Sequence, residues 1–378
     1  MQHPPDTDRN SSARFGVLAK WLAVLAAVAV PLSLLWDYSW EFTIGVETLW
    51  APPHLATYAA VGLAALVALG WMGICTGRQS PGVRLGGLRA PLGVWLVLWG
   101  GLAFVTASIF DRWWQLGYGQ SAGIWHPPQL LKAAAFFAIV VGAWFSAAEG
   151  QRAESGSMVL AVAGGAVMAM IFVVTLPSNL ANRQHSAALY EIAGGTYPIV
   201  LVAAARSARW RFSATATALC FMLIAGAAVW GIPLQAAQPQ AGPIFRPRDH
   251  LLPPPFPLLL VVPAVALDLL VRVFPAARRR GGGAVEAGLA FFFTFTAAQW
   301  PFAAFLLSPA ADNRFFAGGG VHWPPMQPIS DEARVSFWPS PGWELNARHM
   351  AVAIGLAIVA AAIGNWLGVR MGREGRDE

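Results

Sequence analysis

Apolar runs of about 20 residues recur along the chain, separated by short charged or Pro- and Gly-rich segments. About 20 residues of α-helix cross the ~30 Å hydrocarbon core of a bilayer, and lipid offers no partner for an unpaired backbone group. A chain written this way must close its own backbone hydrogen bonds. Ten such segments can be marked, at 17–36, 54–75, 91–110, 129–148, 157–176, 187–205, 213–232, 253–274, 284–308 and 349–369. Only 12% of the 378 residues are charged, against roughly 25% in ordinary globular domains. Soluble enzymes, nucleic-acid modules and secreted disulfide scaffolds are thereby excluded. The sequence predicts an all-α polytopic integral membrane protein of about ten transmembrane helices, arranged as five hairpins.

Residues 1–16 read as a disordered leader, 17–369 as one transmembrane domain with a long outer loop at 309–348, and 370–378 as a tail. The connections alternate in basic charge. One side carries Arg9, Arg14, Lys20, Arg78, Arg84, Arg89, Arg152, Arg206, Arg209, Arg211, Arg272, Arg278, Arg279, Arg280, Arg370, Arg373 and Arg376. The other carries Arg112, Arg183, Arg246, Arg248, Arg314, Arg334 and Arg348, with Lys132 just inside a span. The positive-inside rule puts the richer side, and both termini, in the cytoplasm of a bacterial-type inner membrane. The basic excess thus reports topology, and no nucleic-acid partner is expected. Cys75 and Cys220 sit in apolar runs and suggest neither a disulfide nor a thiolate metal site.

Apart from His3 in the leader, all the histidines fall on the outer side: His54, His126, His185, His250, His322 and His349. Five of them stand at or just before the start of an even-numbered span. An internal repeat accompanies two of these. The loops WDYSWEFTIGVETLWAPPHL and FDRWWQLGYGQSAGIWHPPQLL both open on an aromatic-Asp pair (Trp36-Asp37, Phe110-Asp111) and close on Trp-x-Pro-Pro-x-Leu. Duplicated hairpins at 17–75 and 91–148 are expected. Proline at a helix start is cheap because those N–H groups have no intrahelical partner, and tryptophan anchors at a bilayer surface account for part of the pattern.

Neutral imidazole binds copper, zinc, iron and nickel, and carboxylates complete mixed N/O sites. Outer-face methionines are few (Met326, Met350), so a methionine-rich cuprous relay is poorly supported. The expected site is an extracytoplasmic, periplasm-facing cluster of His54, His126, His250, Asp37, Asp111, His185, His349 and His322. It would bind copper first and zinc second, with haem as a further alternative. The expected partners are the lipid bilayer, subunits of a membrane complex and an extracytoplasmic metal carrier. Two other readings stand beside this one. A polytopic transferase would use Asp37 as acid/base or metal ligand on a lipid-linked substrate, and a scaffold subunit would use the outer loops to meet a partner.

Inside the spans, Lys132 and Glu191 each follow a histidine by six residues and are candidates to pair with each other. Asp268 and Glu286 near the cytoplasmic ends suggest interfacial ion pairs. Gly194, Gly195 and Pro198 suggest close helix packing, with a broken span as the other reading. P-loop, Rossmann, HExxH and GxSxG patterns are absent. The WDYSW and FDRWW segments resemble the Trp-rich outer loop of haem-handling proteins of cytochrome c maturation, without their Trp-Gly-x-x-Trp-x-Trp-Asp string. Asp37 and Glu41 are placed like the first-loop acids of polytopic glycosyltransferases that use lipid-linked sugars. Each likeness covers one loop, and the sequence is assigned to neither family.

Overall fold

A computed structural model describes residues 6–45, 48–119, 125–149, 154–208, 210–240, 249–273, 283–319 and 343–374. Its α-helices, in chain order, are α1 (Asp6–Ile44), α2 (Pro52–Gly77), α3 (Leu92–Tyr118), α4 (Pro127–Ala148), α5 (Glu154–Val174), α6 (Leu176–Asn179), α7 (Ala187–Ser207), α8 (Ser213–Gly231), α9 (Val261–Val273), α10 (Ala284–Leu306) and α11 (Ala347–Glu374). All but α6 and α9 are long and apolar enough to cross a membrane, which makes nine candidate spans among the described residues. The chain is an all-α multi-pass membrane protein. A two-stranded antiparallel hairpin, β1 (Val83–Leu85) with β2 (Leu88–Ala90), joins α2 to α3. It turns on Gly86 and Gly87, both at positive φ, as tight two-residue hairpin turns require.

The expected eighth span, 253–274, is not one helix. Residues 251–259 run extended and almost wholly buried, and only the 13 residues of α9 are helical. Thirteen residues rise about 20 Å, short of the bilayer core. The cause is Pro253, Pro254, Pro255 and Pro257, which lack N–H donors and force the residues before them out of the α region. The same prolines make burial affordable, because few donors remain to be satisfied. The Leu251 N–H goes to the Gln235 carbonyl and the Leu260 N–H to the Leu258 carbonyl. Leu252 donates to Thr43 Oγ1 and Leu259 to Gln299 Oε1. The segment runs antiparallel to α8, with Asp249 meeting Ala237 past one end of α8 and Arg272 reaching the Arg211 carbonyl at the other.

The chain between α5 and α7 is also irregular, and neutral polar side chains hold it. Asn179 Nδ2 donates to the Phe172 carbonyl, Gln184 Nε2 to the Asn179 carbonyl, and Gln299 Nε2 to Gln184 Oε1. Asn179, Gln184 and Gln299 are all fully buried. A buried amide without partners is costly, so this relay fixes α10 against both irregular stretches.

Helix α5 is the centre of the bundle, with 78% of its apolar window buried, and it packs against α1, α4, α7 and α8. Helices α1 to α4 form one group, in which α1 touches α2 and α4, and α3 touches α2 and α4. Helix α7 lies along α11 through small residues. A Cβ on Gly194 would come within 2.7 Å of the Ala353 carbonyl, and one on Gly364 within 2.6 Å of the Ile199 carbonyl. Such close approach is the usual basis of helix association in lipid. It accounts for Gly194 without a break, since α7 is continuous through Pro198. Outward-facing Leu66, Leu102, Ile109, Leu223 and Val359 supply a lipid-compatible surface.

Candidate functional site

The repeat defines two comparable helix-end sites. Asp37 lies in the last two turns of α1 and Asp111 in the last two of α3. Each loop then enters the next helix on Pro-Pro. His54 is therefore the third residue of α2, and Gln129 the third residue of α4. In the first site His54 Nε2 stands 3.2 Å from Asp37 Oδ1. In the second, Gln129 Nε2 stands 3.3 Å from Asp111 Oδ1. The equivalence is positional as well as sequential.

Their chemistry differs. His54 Nδ1 lies 2.7 Å from the Thr48 carbonyl. A carbonyl only accepts, so Nδ1 carries the proton and, in the neutral ring, Nε2 carries the lone pair. That lone pair faces Asp37 Oδ1, which is buried and takes no hydrogen bond. Both side chains are largely shielded, at 15% and 19% exposed. Two lone pairs so placed repel unless a proton or a metal cation lies between them. Glu41, one turn after Asp37, lies on the same face of α1. At the second site the carboxylate is fully served. Asp111 accepts from Lys132 Nζ at 2.6 Å, from Gln115 Nε2 at 3.1 Å and from Gln129 Nε2.

The remaining histidines are dispersed. The buried His185 ring donates through Nε2 to the Trp300 carbonyl and packs edge-on to the Trp300 ring, and burial pulls its pKa down. His349 Nδ1 pairs with Glu191 Oε1 at 2.7 Å, linking α11 to α7. His250 pairs with its exposed neighbour Asp249 at 2.9 Å, and this hydrogen bond lowers the Asp249 pKa. His126 caps the start of α4 without a side-chain cap bond and lies against Trp114. His322 lies outside the described residues, as does most of the 309–348 loop. Among the described residues, no three His, Cys, Asp or Glu side chains are grouped as a metal site. The structure brings together Asp37 with His54, and Asp111 with Gln129 and Lys132, rather than gathering the full set.

Lys132 and Glu191 do not pair with each other, since Asp111 and His349 take them instead. Among the described residues Asp268 forms no ion pair, and Arg278, Arg279 and Arg280 lie outside them. Asp268 accepts the Ala214 and Thr215 N–H groups and the Thr215 hydroxyl at the start of α8, a capping role. Cys75 and Cys220 are free thiols. Sequence reasoning missed Gln184, Gln299 and Asn179, whose one signal was a neutral amide inside or beside an apolar run.

Comparison with family models, curated proteins and solved structures finds no match. Function therefore rests on the chain's own geometry.

Proposed function

We propose that this is a multi-pass protein of a bacterial-type cytoplasmic membrane, with both termini cytoplasmic, and that its outer end binds a transition metal at Asp37 and His54. Copper is favoured over zinc, because an imidazole and a carboxylate form a mixed N/O site and no thiolate adjoins them. The observation that carries the reading is the 3.2 Å approach of His54 Nε2 to the buried Asp37 Oδ1, which takes no hydrogen bond. Two ligands 3.2 Å apart, each about 2.1 Å from one ion, subtend roughly 100° there, between the square and tetrahedral angles. The Thr48 carbonyl behind Nδ1 supports the ring as outer partners of metal-bound histidines do.

Two protein ligands leave coordination positions open. An open site suits metal handling, in which a carrier or substrate supplies the other ligands, better than permanent storage. Elemental analysis of the detergent-purified protein is the test. We expect about one copper or zinc per chain, lost on His54→Ala or Asp37→Ala and kept on Trp50→Phe. A wild-type protein without metal, or full metal content in both ligand variants, overturns the reading. Asp37 and His54 would then be a carboxylate–imidazolium pair, and the transferase reading, with Asp37 as acid/base, would lead.

A further inference from the structure

We propose that the second hairpin carries its own cation. On this view Lys132 Nζ stands at Asp111 in the place where the first hairpin takes a metal ion, so one of two related sites is permanently filled. The inference rests on the reading of Asp37 and His54 given above and extends it to the number of ions bound.

The two sites can be compared residue by residue. Asp37 corresponds to Asp111 and His54 to Gln129, with matching contacts of 3.2 and 3.3 Å. Four residues after each aspartate come Glu41 and Gln115, and at the sixth position of each following helix come Thr57 and Lys132. Both residue types able to ligate a metal beside the aspartate are thus replaced by neutral amides in the second copy, and an ammonium is added. Thr57 instead lies within hydrogen-bond distance of Ser33 Oγ and the Pro53 carbonyl. Lys132 is long enough to reach its aspartate and closes to 2.6 Å.

Charge balance points the same way. Asp111 and Lys132 neutralise each other, as a buried carboxylate requires. At the first site Thr57 stands where Lys132 does, so that position supplies Asp37 with no ammonium, and a metal cation is the charge assigned there. The amides Gln115 and Gln129 donate to Asp111, which serves a carboxylate already neutralised and offers nothing to a soft metal.

The test converts the second site into the first with the triple variant Gln115→Glu, Gln129→His, Lys132→Thr, and counts bound copper or zinc by elemental analysis. The expected result is a rise from about one ion per chain in the wild type to about two. The same triple variant carrying Asp37→Ala should return to about one. Folding is followed on the same samples by size exclusion and thermal melting. If the triple variant melts early, added zinc should raise its midpoint, and a further Asp111→Asn should abolish that rise. One ion in both proteins, or no zinc response in a destabilised triple variant, overturns this inference and leaves the Asp37 site standing. No metal in the wild type overturns the Asp37 reading and, with it, this comparison.

Discussion

The side chains of Gln184 and Gln299, 115 residues apart in sequence, share a 2.7 Å hydrogen bond in the bundle interior. The other end of the Gln299 amide accepts the Leu259 N–H at 2.9 Å. One side chain on α10 therefore holds both irregular stretches of the membrane domain.

Replacing Gln299 by Leu keeps the volume and strands two buried groups, Gln184 Oε1 and the Leu259 N–H. Each stranded group costs about 1–3 kcal/mol, so a loss of roughly 2–6 kcal/mol is expected in denaturant unfolding of the detergent-solubilised protein. A loss well under 1 kcal/mol would show that the relay holds nothing together.

The neutral, buried His185 makes stability depend on pH. Burial lowers its pKa, so the unfolded chain takes up a proton near the ordinary value of about 6.5 that the folded chain refuses. The stabilisation is complete above about pH 6.5 and is lost as the pH falls from there toward the lower folded value, by at most about 1.4 kcal/mol per unit. Melting curves between pH 7.5 and 5 should therefore drop more steeply for the wild type than for His185→Gln. Parallel curves would refute the assignment.

The α7–α11 contact predicts opposite outcomes at two glycines of one helix. Gly364→Val forces a Cβ toward the Ile199 and Pro198 carbonyls, at 2.6 and 2.9 Å. It should cost about 1–3 kcal/mol, as overpacking does. Gly355 has nothing within 4 Å of a built Cβ, so Gly355→Ala should be neutral or gain up to about 1 kcal/mol from helix propensity. Equal melting shifts for the two would mean that the helices do not meet here.

The membrane character and nine of the marked spans were legible because hydropathy reports the transfer of side chains into lipid. The eighth was misread for the same reason. Leu and Pro between 251 and 260 score as apolar, but hydropathy does not register that proline removes the donors a helix needs. At the candidate site, the Asp-to-Pro-Pro repeat brought Asp37, His54, Asp111 and His126 into view. The partner of Lys132 was overlooked because its spacing was measured from His126 rather than through the repeat. Alignment on Trp-x-Pro-Pro sets Gln129 against His54 and points to Asp111 as the shared neighbour. The bond between Gln184 and Gln299 left no charge signal to follow. Glu191 and His349 meet only because α11 returns along α7, a long-range contact that local spacing does not encode.

The buried proline stretch before α9 also bears on how the protein is built into its membrane. A helix that closes its own backbone can leave the insertion channel for lipid as soon as it is made. Residues 251–260 cannot, because the Leu251, Leu252 and Leu259 N–H groups are met by Gln235, Thr43 and Gln299. Two of these partners are already synthesised when the stretch emerges, and the third follows about 40 residues later on α10. Entry of this segment into the bilayer is therefore tied to the arrival of its successor, so that the last third of the chain assembles as one event rather than span by span.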